Sequence, residues 1–226
     1  FAPLTGTLSG GHKVYLTIDA DLSRTAWEAL DGRKGVAAVY NYQTGDILCM
    51  VSNPSFDPAD PPEISDDDSD YEGVYLNRLL SGLYTPGSVF KVVTTAAAIE
   101  NIDDLFSRTF TCTGSIHVEG WGKPINCSKR AGHGTQTLKV ATGNSCNPAF
   151  VTMGLKIGTE AYYRYLKSFG LMETTGIDLP AEAEGIFANE DSFNSNVVSL
   201  AAYSFGQTFN VTPLELIRAQ AATING

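Results

Sequence analysis

The sequence lacks the features that mark nucleic-acid-binding and membrane-spanning proteins. Fifteen Lys and Arg residues stand against 25 Asp and Glu residues, so the formal net charge is −10 at pH 7. Nucleic-acid partners and anionic membrane surfaces select clustered basic residues, and the acidic balance argues against both. No stretch approaches the roughly 20 consecutive apolar residues that a bilayer-spanning helix needs, and no charged-then-apolar signal peptide opens the chain.

The ends of the chain indicate a piece of a longer protein. Phe1 is not an initiator methionine, and the chain stops at Gly226 directly after a helical pattern. We therefore draw nothing from the missing targeting signals about where the parent resides. Hydrophobic residues make up 43% of the 226 positions, which is ordinary for a globular protein and allows one large domain or two small ones.

Short-spaced metal-binding and phosphate-binding motifs are also missing. None of the four cysteines forms a C-x-x-C pair, which argues against a zinc site. The three histidines are scattered along the chain, and His133, between two glycines, is interpreted as a loop hydrogen-bonding residue. Neither G-x-G-x-x-G nor a P-loop occurs. The sequence thus predicts neither a metal site nor a cofactor.

Cys112 and Cys127 flank a Gly-rich segment, and two interpretations of them stay open. A disulfide between them would close a short loop and contribute about 3 kcal/mol in the chain-entropy model. Alternatively, both are reduced, half-buried thiols.

Hydrophobic periodicity predicts the first elements. An alternating pattern predicts a strand over Val14–Asp19, and a one-faced apolar pattern predicts a helix over Asp21–Leu30. Gly35–Asn41 and Ile47–Ser52 are predicted to form a β-hairpin around a Gly turn. A Pro-, Asp- and Ser-rich surface loop is expected over residues 53–71; its acidic run, residues 66–70, lacks the spacing of an EF-hand.

The second part of the chain is predicted to be mainly helical. A helix that follows Ser88 is apolar on nearly every side, so we expect it to be buried centrally. Residues 110–133 are expected to form a meandering loop. Further helices are predicted over 138–141, from Pro148, over 159–169 and over 214–222, with residues 144–147 breaking the first from the second.

Ser88 and Lys91 form a chemically coherent pair. They are three residues apart at a helix start, so their side chains share one face. A serine becomes a nucleophile beside a base, and burial lowers the pKa of a lysine toward that role. The S-x-x-K pattern alone is weak evidence, because it is expected about once by chance in a chain this long. In the alternative interpretation, Ser88 caps the helix and the Lys91 side chain reaches solvent.

Ser145 and Asn147 form a second candidate pair, separated by Cys146. A second hydroxyl can relay a proton to a leaving amine, and an amide can both donate to and accept from a peptide backbone. Taken in isolation, a polar break between two helices is the simpler interpretation.

The wider sequence resembles the transpeptidase domain of class B penicillin-binding proteins. The matching segments occur in the family's order and are LTIDADLSRTAWEAL, GVAAVYNYQTGDILCMVSNPSFDP, Arg78 in LNRLL, LYTPGSVFKVVTTAAAIE, HGTQTLKVATGNSCNPAF and SFGQTFNVTPLELIRAQAATING. The resemblance implies that Ser88 is the nucleophile, Lys91 its base, Ser145 the proton relay and Asn147 the substrate-orienting amide.

The resemblance also implies a fold and a setting. The expected fold is α/β (α+β) and penicillin-binding-protein/β-lactamase-like, with a helical subdomain and an incomplete antiparallel sheet. We expect one C-terminally truncated transpeptidase domain over residues 1–226, a linker strand at 1–20 and a mostly helical subdomain at 84–200. The implied partners are peptidoglycan stem peptides ending in D-Ala-D-Ala, β-lactam antibiotics and other cell-wall synthesis proteins, at the extracytoplasmic face of a bacterial membrane where an N-terminal helix anchors the parent.

The sequence departs from the family pattern in its third motif. No Lys is followed by Thr-Gly or Ser-Gly, although the family carries K-[ST]-G on an inner strand that contributes an oxyanion donor. Because one such donor is worth roughly 10²–10³ in rate, we expect this chain taken alone to be impaired or inactive.

Four other functions compete with transpeptidation. A D,D-carboxypeptidase or a β-lactamase would use the same nucleophile, although no Glu-bearing deacylation loop stands out. A β-lactam sensor would acylate once and signal. A catalytically silent cell-wall scaffold would have no need for both S-x-x-K and S-x-N.

Overall fold

The computed structural model describes residues 13–63 and 72–225, so the predicted acidic run at 66–70 and most of the predicted linker lie outside the described residues. The elements in chain order are α1 (Ala20–Leu30), β1 (Gly35–Tyr40), β2 (Ile47–Asn53), a 3-10 helix (Gly87–Phe90), α2 (Lys91–Asn101), β3 (Thr109–Cys112), β4 (Ser115–Ile116), β5 (Ile125–Asn126), β6 (Gly134–Thr137), α3 (Leu138–Gly143), α4 (Asn147–Ile157), α5 (Thr159–Ser168), α6 (Glu190–Asn194), α7 (Val197–Tyr203) and α8 (Pro213–Asn225).

The predicted strand over Val14–Asp19 is wrong. This segment has no ladder partner among the described residues; it contacts β2 only locally, with the Asp19 N–H donating to the Leu48 carbonyl at 2.8 Å. Tyr15 is 86% exposed, so the alternating apolar residues have no sheet face to cover. The helix that follows is confirmed, and the Asp19 carboxylate caps it by accepting from the Leu22 N–H.

The predicted β-hairpin is confirmed. Strands β1 and β2 pair antiparallel, with Gly35 opposite Asn53 and Ala37 opposite Val51. The connecting turn is built by Asn41, whose side-chain oxygen accepts two backbone N–H groups, as Asn does in tight turns.

Helix α2 is central, but it is not buried on every side as predicted. Val93, Ala97 and Ala98 are at most 1% exposed and pack in the main hydrophobic core. Val92 and Ile99, on the other face, are 43% and 47% exposed. The helix therefore presents one core face and one open apolar face.

The predicted meandering loop over residues 110–133 contains regular structure. Strand β3 pairs antiparallel with β6, and β4 pairs antiparallel with β5. Each of these strands is two to four residues long, which is too short for an alternating pattern to stand out in the sequence.

The helices around the S-x-N segment are confirmed. Helix α3 ends at Gly143, and α4 begins at Asn147 with Pro148 in its first turn, where proline needs no hydrogen-bond acceptor. The predicted helices over 159–169 and 214–222 correspond to α5 and α8. A reciprocal capping box starts α8: Thr212 Oγ1 accepts from the Glu215 N–H, and Glu215 Oε2 accepts from the Thr212 N–H.

The core sits where helices α2, α4, α5 and α7 pack together. A smaller cluster of Leu79, Leu80 and Leu214 joins the hairpin to α8. In the described part of the chain, no helix combines the length and the apolar character that crossing a bilayer requires. The architecture is α+β, as predicted, and places the start of α2 beside the break between α3 and α4.

Candidate active site

Ser88 lies on a tight turn at the entrance to α2. It belongs to the 3-10 helix Gly87–Phe90, which runs directly into α2, and its side chain is exposed. The Gly87 N–H donates to the Gly206 carbonyl at 2.8 Å. Behind the turn, Phe90 is fully buried and meets Phe209 edge-on with ring centroids 4.7 Å apart. The hydroxyl is thus accessible while the backbone that carries it is anchored.

The Lys91 side chain joins the two predicted pairs. Its Nζ lies 3.1 Å from Ser88 Oγ, 2.9 Å from Ser145 Oγ and 2.7 Å from Asn147 Oδ1. A fourth contact reaches the Ser145 carbonyl at 2.8 Å. All four residues selected from the sequence therefore meet at one nitrogen atom, which the alternative of a solvent-reaching lysine does not allow.

Burial changes the protonation equilibrium of Lys91. Lys91 is only 4% exposed, and its Nζ lies 5.2 Å from the ring centre of Phe150. Burial disfavours the ammonium form and lowers the pKa of Lys91 to about 8, although the nearby Cys127 and Cys146 oppose part of the shift. At a pKa of about 8, roughly a tenth of the Lys91 amines are neutral at pH 7, far more than for an ordinary lysine, and a neutral amine can accept a proton.

The turn between α3 and α4 positions Ser145 and Asn147. Ser145 has φ = 48°, a left-handed conformation that non-glycine residues seldom adopt. The turn holds it there, because the Ser145 and Cys146 N–H groups donate to the carbonyls of Thr142 and Ala141. Asn147 then donates through Nδ2 to the Asn126 carbonyl at 3.0 Å.

Asn147 must be oriented with its oxygen toward the lysine. Its Nδ2 donates to the backbone of β5, which leaves Oδ1 to accept from Lys91. A half-buried amide held at both ends has one fixed orientation. The arrangement can take a proton from Ser88, hold it at Nζ and pass it through Ser145 Oγ to a neighbouring basic atom.

Two contributors to the site were not selected from the sequence. The Asn126 carbonyl lies in a two-residue strand that the sequence did not predict, so only the fold reveals its role. Gly206 has φ = 80°, and a Cβ there would lie 2.0 Å from the Gly87 carbonyl oxygen. Gly206 lies in the segment SFGQTF, which matches the family pattern but in which no residue was assigned a role from the sequence. This glycine allows close backbone approach to the Ser88 turn.

Of the two interpretations of Cys112 and Cys127, the structure agrees with reduced thiols, although they are fully buried rather than half-buried. All four cysteines are buried free thiols. Three of them, Cys112, Cys127 and Cys146, lie together with His133, and their ligand atoms are all within 4.8 Å of one another. The lack of close cysteine pairs in the sequence did not predict this cluster. Its residues are far apart in the chain and are brought together by the β3–β6 and β4–β5 pairs.

Comparison with known proteins identifies related chains. The family model described as penicillin binding protein transpeptidase domain matches residues 35–226. The Bacillus subtilis protein named Stage V sporulation protein D is 37% identical over 225 residues, covering 96% of this chain and 33% of its own length. The chain thus spans about a third of the length of that curated relative.

Solved structures agree in fold. Pseudomonas aeruginosa PBP2, in complex with WCK 5153, superimposes with a TM-score of 0.82 at 26% identity, over 93% of this chain and 51% of that chain. Penicillin-binding protein A from Mycobacterium tuberculosis, solved as a ceftriaxone acyl-enzyme complex, gives a TM-score of 0.80 at 27% identity, over 92% and 50%. The expected penicillin-binding-protein fold is confirmed.

Proposed function

Because the chain belongs to the penicillin-binding protein transpeptidase domain family, we propose that it carries the acylation centre of a serine D,D-transpeptidase. The substrates are peptidoglycan stem peptides that end in D-Ala-D-Ala. The observation that carries the proposal is the position of Lys91 Nζ, within 3.1 Å of Ser88 Oγ and 2.9 Å of Ser145 Oγ. One base is thereby shared between an exposed nucleophile and a second hydroxyl.

Acylation begins at Ser88. Its Oγ attacks the carbonyl carbon of the penultimate D-Ala while its proton moves to the neutral amine of Lys91. The negative charge on the carbonyl oxygen is stabilised by backbone N–H groups of the helical turn that carries Ser88. The bond to the terminal D-Ala breaks, and its nitrogen takes a proton delivered from Lys91 through Ser145 Oγ. The products are free D-Ala and an ester on Ser88.

Deacylation uses the same groups in reverse. The amine of a neighbouring stem peptide attacks the ester carbonyl and loses a proton, which passes through Ser145 and Lys91 back to Ser88 Oγ. Asn147 binds the peptide backbone beside the ester. A β-lactam follows only the first half: its ring nitrogen takes the proton but stays attached, so the acyl-enzyme persists. Because peptidoglycan is cross-linked outside the cytoplasmic membrane, we propose that the parent protein acts at the extracytoplasmic face together with other cell-wall synthesis proteins.

A fluorescent penicillin tests the nucleophile. The full-length protein is expected to be labelled covalently at Ser88, and Ser88→Ala should abolish labelling. The matched control is Ser168→Ala, an exposed serine at the end of α5, which should label as the wild type does. Labelling that survives Ser88→Ala, with the modified peptide identified by mass spectrometry elsewhere, would overturn the assignment.

A chromogenic cephalosporin separates transpeptidation from hydrolysis on the same scaffold. We expect one stoichiometric burst followed by very slow release, because the leaving nitrogen of a β-lactam stays attached to the acyl group and the acyl-enzyme persists. Sustained turnover would instead favour a carboxypeptidase or β-lactamase.

A further inference from the structure

A second cluster of reactive side chains lies next to the active-site turn. It consists of three cysteines and one histidine and is called the Cys3His cluster here: Cys112, Cys127, His133 and Cys146. The three cysteines are at most 2% exposed, and His133 is half-buried. Their four ligand atoms lie within 4.8 Å of one another. No other group of three or more such side chains meets this criterion in the residues the structure describes.

The distances inside the cluster approach those of a metal centre. Cys127 Sγ lies 4.0 Å from Cys146 Sγ and 3.4 Å from His133 Nδ1. In a regular tetrahedron with zinc–sulfur bonds of about 2.3 Å, sulfur atoms lie about 3.8 Å apart. Three cysteines and one histidine are also a common ligand set of structural zinc.

A buried amide beside the cluster also supports a metal site. Gln136 is 3% exposed, and within the described residues its Nε2 has no hydrogen-bond partner. Its Oε1 is occupied, because it accepts from Asn144 Nδ2 at 2.9 Å. The side chain lies beside Cys146. A metal-bound thiolate is a charged acceptor, and it would satisfy this amide better than a neutral thiol does.

A disulfide explains less of the geometry. It would use two of the three sulfur atoms and leave the third thiol and His133 without a function. All three cysteines, including the Cys112 and Cys127 pair considered from the sequence, are unbonded thiols, and Cys127 Sγ lies 4.0 Å from Cys146 Sγ. Simple packing of apolar thiols does not account for a histidine nitrogen directed at the same point.

We propose that the Cys3His cluster binds one Zn²⁺ through four protein ligands. With all four positions filled by side chains, the centre is structural, with no open position for water or substrate. The three thiols release their protons to solvent on binding, and the imidazole binds as the neutral ring.

The position of the cluster gives the metal a consequence for the active site. Cys146 stands between Ser145 and Asn147, and Cys127 follows Asn126, whose carbonyl holds the Asn147 amide. The metal therefore ties both sides of this contact together. It would stabilise the left-handed turn at Ser145 and keep Ser145 and Asn147 within reach of Lys91. This positioning role rests on the proposed function, whereas metal binding itself does not.

Metal content tests the binding site directly. Full-length protein purified under reducing conditions is expected to contain about one zinc per chain by elemental mass spectrometry. Exchange for Co²⁺ should produce the visible absorption of tetrahedral thiolate ligation. Cys127→Ser and His133→Asn should each lower zinc content at least about 10-fold at limiting metal. Cys49→Ser is the matched control, because Cys49 is equally buried but lies in β2, outside the cluster.

The wild-type protein alone can refute the proposal, so the test does not depend on the variants folding. If the reduced wild type contains no zinc and binds neither added Zn²⁺ nor Co²⁺, the site does not exist. The same conclusion follows if the isolated protein contains a disulfide within the cluster and still binds no metal after that disulfide has been reduced. Equal zinc content in Cys127→Ser and Cys49→Ser would place the metal elsewhere and also overturns the proposal.

The positioning role has a separate readout. Zinc-depleted protein kept reduced should be acylated by a fluorescent penicillin about 10-fold or more slowly, and added Zn²⁺ should restore the rate. Unchanged acylation after verified zinc loss would overturn the positioning role and leave the metal site standing. If zinc-loaded wild type is not acylated at all, the proposed function fails while the metal result is unaffected.

Discussion

Lys91 Nζ lies 2.7 Å from Asn147 Oδ1, although 55 residues separate the two in the chain. The contact links the first turn of α2 to the first residue of α4 and closes the site around the lysine. It also fixes the direction of the Lys91 side chain, which would otherwise rotate freely along its four-carbon stem. The position of the base is therefore decided by α4 as much as by its own helix.

The pH dependence of acylation should report the Lys91 amine. Burial lowers the pKa of Lys91 to about 8, and the lysine accepts a proton only when it is neutral. The second-order rate of acylation by penicillin should therefore rise with pH, level off above about 8 and fall as the ammonium form accumulates below. Measured on the free enzyme under limiting β-lactam, the profile should show one ionisation.

In Lys91→Met this ionisation should vanish and the rate should fall by roughly 10²–10⁴. Lys156→Met, a control at an exposed position on α4, should keep both the rate and the profile. An inflection that persists in Lys91→Met would assign it to another group.

Gly206 should be intolerant of any side chain. A Cβ at this position would lie 2.0 Å from the Gly87 carbonyl oxygen, and its φ of 80° is in the left-handed region. In Gly206→Ala the Ser88 turn must shift, so we expect acylation to slow at least about 10-fold and the free energy of unfolding to drop by roughly 1–3 kcal/mol.

Gly122→Ala is the control, because nothing lies within 4 Å of a Cβ there. Denaturant unfolding and penicillin labelling of both variants check the prediction. Equal behaviour of the two would contradict the close approach.

The hydroxyl of Tyr162 should contribute to the stability of α2. It lies 2.7 Å from Thr94 Oγ1 and 3.2 Å from the Tyr203 carbonyl, in a site closed to solvent. Burial raises the pKa of Tyr162 well above its usual range, so the phenol stays protonated and can donate. Tyr162→Phe should cost about 1–3 kcal/mol, because it leaves buried groups without a partner.

Thermal unfolding followed by circular dichroism measures this loss. Tyr42→Phe, at an exposed position, should change stability by less than about 0.5 kcal/mol. A Tyr162→Phe variant as stable as Tyr42→Phe would refute the role of the hydroxyl.

Local sequence patterns determined a large part of this protein. The hairpin, the helices α1, α3, α4, α5 and α8, and the placing of Ser88 and Lys91 on one helical face follow from periodicity, turn residues and spacing between near neighbours. These features depend on interactions within about one or two helical turns, which any single sequence displays. The alternating pattern over Val14–Asp19 predicted a strand wrongly, because a strand also needs a neighbouring strand to pair with, and an alternating sequence does not provide one.

Only the tertiary structure decided which distant residues meet. Ser145 and Asn147 reach Lys91 because α4 packs against α2, and that packing depends on side chains spread over the whole core. The strands β3 to β6 are too short to leave a pattern, yet their pairing brings Cys112, Cys127 and His133 up to Cys146. Long-range pairing is set by the burial and hydrogen bonding of the complete fold rather than by spacing, so a search for close cysteine pairs missed the cluster.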